Sequence, residues 1–141
     1  MKLSGFNKGV FLVNVLGIVY NPKTDKILIG KREKDPYVKK LGWCFPGGRP
    51  AYEKDLEYYL KKEIAKKTNI KLKGAKAIFA KTYPEERKIL SIYYLCNYVS
   101  GKAKPKDKFV KVKWIKPTEV KKYFTTSLHP ALFKFLKELG K

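Results

Sequence analysis

The feature that most constrains the fold is a short apolar strand, Trp43-Cys44-Phe45, which runs into Pro46-Gly47-Gly48 and is followed by an amphipathic helix. Proline interrupts strand pairing and glycine lets the chain turn with few steric limits, so a loop is expected from Pro46 onwards. From Asp55 to about Thr68 the residues Leu56, Tyr59, Leu60 and Ile64 recur at three- and four-residue spacing, the mark of a helix with one buried stripe. Asp55 suits its N-cap, and Asn69, which tolerates a left-handed backbone, suits its stop.

Strands surround this unit. Val10–Tyr20 and Lys26–Arg32 are aliphatic runs separated by Asn21-Pro22-Lys23-Thr24-Asp25, and they read as a hairpin. Ala75–Tyr83, Ile89–Val99 and Phe109–Ile115 read as further strands. Pro117 opens a short helix through Tyr123, and Pro130 opens the last one, whose core face is Leu132, Phe133, Phe135, Leu136 and Leu139. This order predicts an α/β sandwich with a mixed β-sheet. At 141 residues, without repeats or a composition break, the chain is expected to form a single domain over residues 1–141.

The formal net charge is +21, from 33 Lys+Arg against 12 Asp+Glu. Such an excess sets up a field that gathers polyanions, so RNA, a ribonucleoprotein or a nucleotide is the expected partner. With hydrophobic residues at 44%, disorder is excluded. Cys44 and Cys96 lie far apart and neither belongs to a CxxC pair, which argues against zinc and disulfide frameworks. The apolar run Val10–Val19, interrupted by Asn14, is too short to span a bilayer, and no small-residue cleavage site follows it. A soluble cytoplasmic protein with no membrane partner is expected. The oligomeric state is not legible.

Leu41-Gly42-Trp43-Cys44-Phe45-Pro46-Gly47-Gly48-Arg49, with the helix that ends at Thr68-Asn69-Ile70, resembles the Nudix box of nucleoside-diphosphate-X hydrolases. Ile27–Arg32 is similar to the strand before that box, and Val112–Ile115 with Leu128–Leu132 is similar to the family's C-terminal end. The resemblance implies a Nudix-type α/β/α sandwich. Laid on the family pattern GX5EX7REUXEEXGU from Gly48, the chain keeps Gly48, Glu63, Ile64 and Ile70. Lys54 stands at the first glutamate, Lys62 at the arginine, Lys66 and Lys67 at the paired glutamates, and Asn69 at the glycine.

In this family the helix carboxylates hold magnesium or manganese against a pyrophosphate. Cations at those positions repel a dication, so no metal site, no cofactor and no catalytic residue are expected by the usual route. The leading expectation is a catalytically degenerate Nudix-fold protein that binds phosphates through Arg32, Arg49, Lys54, Lys62, Lys66 and Lys67, with Lys102, Lys104, Lys106 and Lys108 tracking a nucleic-acid backbone. The plainer reading of these lysines is a solvated surface, with Glu63 and Lys67 a helix-stabilising pair four residues apart. The alternative is an active hydrolase of nucleoside diphosphate-linked substrates, with Mg or Mn on a site rebuilt from Glu63 and Glu53. The aromatics Tyr37, Trp43, Tyr52, Tyr58, Tyr83, Tyr93, Tyr94 and Tyr98 are expected mainly in the core, with base stacking as the other use. His129, beside Pro130, reads as a helix-entry residue rather than a base.

Overall fold

Alternating aliphatic side chains make β1 (Leu12–Asn21) two-faced, with Val15 and Val19 on one side and Ile18 on the other. The computed structural model describes residues 9–32, 42–125 and 128–139, and Tyr37 and Leu41 lie outside them. The turn expected after β1 closes through Asn21, whose carbonyl accepts from the Asp25 amide at 2.9 Å, while Asp25 takes a φ of 56°. Next come β2 (Lys26–Lys31), β3 (Trp43–Cys44), β4 (Gly47–Gly48), α1 (Leu56–Thr68), β5 (Lys71–Tyr83), β6 (Glu86–Ser100) and β7 (Lys111–Ile115). A 3-10 turn (Pro117–Glu119) then leads into α2 (Val120–Tyr123), and α3 (Pro130–Leu139) follows.

The sheet runs β3-β2-β1-β6-β5, with β4 paired to β1 and β7 to β2. β1 is antiparallel to β2 and parallel to β6, so the sheet is mixed as expected. On one face α1 lays Leu60 and Ile64 over Val15, Val19, Leu28 and Cys96. On the other, α2 and α3 bring Val120, Leu132 and Leu136 over Ile18, Ile27, Ile29 and Ile115. Leu60, Ile64 and Leu136 are fully buried, each worth about 1.5–3 kcal/mol in removed apolar surface. The architecture is an α/β/α sandwich.

The helix ends are those expected. Asp55 accepts from the Tyr58 amide at 3.0 Å, and Asn69 closes the helix with a φ of 64°. Other segments differ, with β6 beginning at Glu86 ahead of the expected Ile89 and β7 at Lys111 behind the expected Phe109. Gly47 and Gly48, expected as pure turn, pair antiparallel with Leu16 and Val15, and a Cβ on Gly47 would lie 2.0 Å from the Val15 carbonyl oxygen. β5 begins at Lys71, ahead of the expected Ala75, because register shifts carry the ladder past Gly74. Phe133, expected in the core, has its ring beneath the ammonium groups of Lys121 (3.8 Å) and Lys137 (4.9 Å). Among the described residues no helix is long and apolar enough to cross a membrane.

Because the clash at Gly47 is with backbone, no rotamer change relieves it. Gly47→Ala is expected to cost about 1–3 kcal/mol, read as a lowered urea midpoint, and an unchanged midpoint is the contrary result.

Candidate functional site

Helical geometry separates the three lysines of α1. Lys62 and Lys66 lie one turn apart on the solvent side, with the Lys66 ammonium 4.0 Å from Asp107. Lys67 turns inward and is only 8% exposed. Its Nζ donates to the Gly47 carbonyl oxygen at 2.5 Å and lies 3.6 Å from Glu63 Oε2. Burial holds the pKa of Lys67 below the usual lysine value, the Glu63 carboxylate draws it back up, and the Arg32 guanidinium pushes it down again. Gly48 leaves room for Glu63, since a Cβ there would lie 2.8 Å from Glu63 Cγ. A backbone carbonyl and a carboxylate thus converge on one cation position.

Beside that position is a cavity of about 90 Å³, whose polar wall is Asn14, Arg32, Cys44, Lys67 and Tyr83. The Tyr83 hydroxyl lies 2.7 Å from that of Tyr93, and burial raises the pKa of both phenols. Of the expected phosphate ligands, Arg32 and Lys67 come together here. Arg49 is exposed and outside the cavity wall, and Lys54 extends over the Tyr58 ring at 5.9 Å. Glu53 accepts from the Tyr59 hydroxyl at 3.1 Å and is not part of the Glu63–Lys67 contact. Among the described residues no three His, Cys, Asp or Glu side chains group together to hold a metal. A divalent ion at Glu63 and Gly47 would have to draw its remaining ligands from water and substrate, as magnesium usually does.

Lys102, Lys104, Lys106 and Lys108 are all exposed, but their backbone is fixed. The amides of Lys104 and Lys106 donate to the Thr68 and Lys67 carbonyls at 2.9 and 3.0 Å, and Asn69 Nδ2 donates to the Lys102 carbonyl at 3.1 Å. This segment therefore satisfies carbonyls that the end of α1 leaves open. His129 Nδ1 accepts from the Ala131 amide at 3.0 Å, a helix-entry contact. Tyr93 and Tyr94 are buried and Tyr52 and Tyr58 exposed, so the core expectation holds for only some of the aromatics.

Asn14 was not among the expected site residues, and Tyr83 was named only among the aromatics expected mainly in the core, with base stacking as the other use. The lone amide interrupting the apolar run Val10–Val19 is a usable signal for Asn14. Tyr83, at a strand end, offers none.

The sequence pattern described as the NUDIX domain matches residues 10–139. This chain belongs to the Nudix family. An 8-oxo-dGTP diphosphatase of Buchnera aphidicola subsp. Schizaphis graminum is 32% identical over 101 residues, covering 72% of this chain and 74% of the relative. A Nudix hydrolase from Nitrosomonas europaea superposes with a TM-score of 0.73 at 17% identity, over 94% of this chain and 73% of that one. A bifunctional NMN adenylyltransferase/ADP ribose pyrophosphatase from Francisella tularensis, complexed with AMP and a Mn ion, superposes with a TM-score of 0.71 at 20% identity, over 97% of this chain and 44% of that one. These likenesses correct the expectation that no cofactor is needed. Hydrolases of this Nudix family normally require Mg or Mn, and the Francisella complex holds Mn.

The two thiols of this Nudix protein differ in surroundings. Cys44 lines the cavity, whereas burial pushes the Cys96 thiol up to about 12. A thiol reagent at pH 8 is expected to titrate Cys44 in the native protein and to reach Cys96 only on unfolding, and rapid reaction of both is the result that contradicts this.

Proposed function

We propose that this Nudix chain hydrolyses a nucleoside diphosphate linked to a further group, with the pyrophosphate held between the Gly47-Gly48 strand and the C-terminal half of α1. The observation that carries the reading is the convergence of the Gly47 carbonyl oxygen and the Glu63 carboxylate on one cation position. Both are the hard oxygen donors that magnesium and manganese take, and one or two carboxylates plus substrate phosphates is an ordinary magnesium environment. Glu63 and Gly47 would hold the ion. Once bound, it would polarise the phosphoryl oxygens and offset charge that develops during displacement.

The chain's own residues supply the remainder. Arg32, on the cavity wall, has the planar donor fork that suits phosphate oxygens. Among the described residues the cavity wall carries two cations, Arg32 and Lys67, and no carboxylate, with Glu63 beside it, so the pocket favours an anion. The names of the Buchnera relative and the Francisella neighbour support a nucleotide pyrophosphate as the substrate class.

Turnover across nucleoside triphosphates, dinucleotides and nucleotide sugars, with Mg²⁺ or Mn²⁺, tests this. At least one substrate is expected to be cleaved, and Glu63→Gln is expected to lower kcat by about 100-fold or more, with folding checked by circular dichroism. No turnover across the panel, or full turnover in Glu63→Gln, sinks the proposal.

A second reading rests on the basic edge beside the cleft. Lys102, Lys104, Lys106 and Lys108 are exposed on a segment tied to the end of α1, and Lys66 and Lys62 continue the row along the helix. This edge is suited to RNA or a ribonucleoprotein, contacted through phosphates and without base specificity. Replacing the four segment lysines by serine is expected to reduce the salt slope of single-stranded RNA binding by about 0.7 per lost contact while leaving nucleotide turnover unchanged. An unchanged slope counts against this edge.

A further inference from the structure

The side chain that replaces a glutamate of the box is itself the cation at the convergent oxygens. Lys67 stands at the second of the paired glutamate positions, is nearly buried, and places its ammonium against the Gly47 carbonyl and the Glu63 carboxylate. A buried ammonium is stable only where hydrogen-bond acceptors and an opposite charge meet it, and these two oxygens supply both. Being tethered, it competes with any free ion at a high effective concentration. Two cations cannot share the position, because like charges a few ångströms apart in a partly desolvated site repel by several kcal/mol.

Lys67 also lines the 90 Å³ cavity, and the rotatable bonds of a lysine stem let the ammonium turn from the two oxygens towards the space next to Arg32. A dication has twice the charge of the ammonium, and one that arrives with a nucleotide also brings phosphate oxygens that can accept from the displaced lysine.

We propose that Lys67 is a built-in counter-cation that occupies the metal position of the resting protein, is displaced when a divalent ion enters, and then turns to the substrate's phosphates. The proposal rests on the hydrolase reading for the position of the metal, and it adds a guard that keeps the free ion weakly bound until a nucleotide accompanies it.

Mn²⁺ binding without nucleotide, followed by the electron paramagnetic resonance signal of the free ion, tests this directly. Lys67→Met keeps the stem and removes the charge, and it is expected to bind Mn²⁺ about tenfold or more tightly than the wild type. Adding Glu63→Gln to Lys67→Met is expected to abolish the gain, whereas Lys66→Met is expected to produce none. Equal affinity in wild type and Lys67→Met, or no Mn²⁺ bound by either, overturns the proposal. Should Lys67→Met fail to fold, the wild type decides through lysine acetylation read by mass spectrometry. Saturating Mn²⁺ with a non-hydrolysable nucleotide is expected to change the labelling of Lys67 severalfold and leave Lys62 unchanged, and Lys67 labelling that does not respond overturns the proposal. A gain in Mn²⁺ affinity without turnover of any substrate removes the hydrolase reading and leaves the guard standing.

Discussion

The close approach of the Gly47-Gly48 backbone to β1 on one side and to α1 on the other sets the rest of the cleft. Pairing with Val15 and Leu16 leaves no space for a side chain at Gly47. The Gly47 carbonyl is then free to meet Lys67, and Gly48 leaves room for Glu63 to lie against the strand. A bulkier pair would push the helix outward and separate the two oxygens. The site is therefore set by backbone contact before any charged side chain takes part.

Charge placement along α1 follows from helical periodicity. Residues 63 and 67 are four apart and share the inner face, so the favourable Glu-to-Lys order coincides with burial. Residue 66 is turned about 100° away and reaches Asp107 and solvent instead. Two adjacent lysines with the same composition thus have unlike roles. The 101–108 segment sharpens the division, because its amides take up the Thr68 and Lys67 carbonyls and close the helix end.

Most of the fold is legible in the sequence, because alternation in β1 and β2 and the apolar stripe of α1 are local patterns that tertiary packing reinforced. The Asp55 cap and the Asn69 stop are legible for the same reason. The pairing of Gly47 and Gly48 is not, since glycine has no strand preference of its own and the partner is more than thirty residues away. Phe133 misleads because a helical pattern does not distinguish a core contact from a ring covered by the stems and charges of Lys121 and Lys137. At the site, the charge reversals at positions 54, 66 and 67 are plain in the sequence, but which of these lysines turns inward depends on where the β1–β4 pair places its carbonyl. Asn14 and Tyr83 join the cavity from distant strands, and no local spacing relates them.

The net charge of +21 and the inward lysine of α1 act over different distances. The exposed lysines produce a positive field that salt screens within about 8–10 Å. The contact of Lys67 with Gly47 and Glu63 is a desolvated short-range arrangement that salt barely reaches. High ionic strength thus weakens the long-range field and leaves the contact of Lys67 with its two oxygens largely as it is. A chain of this kind can keep a strongly basic surface and a distinct centre, because Lys67 meets two oxygens held in place by the backbone of β4 and one turn of α1.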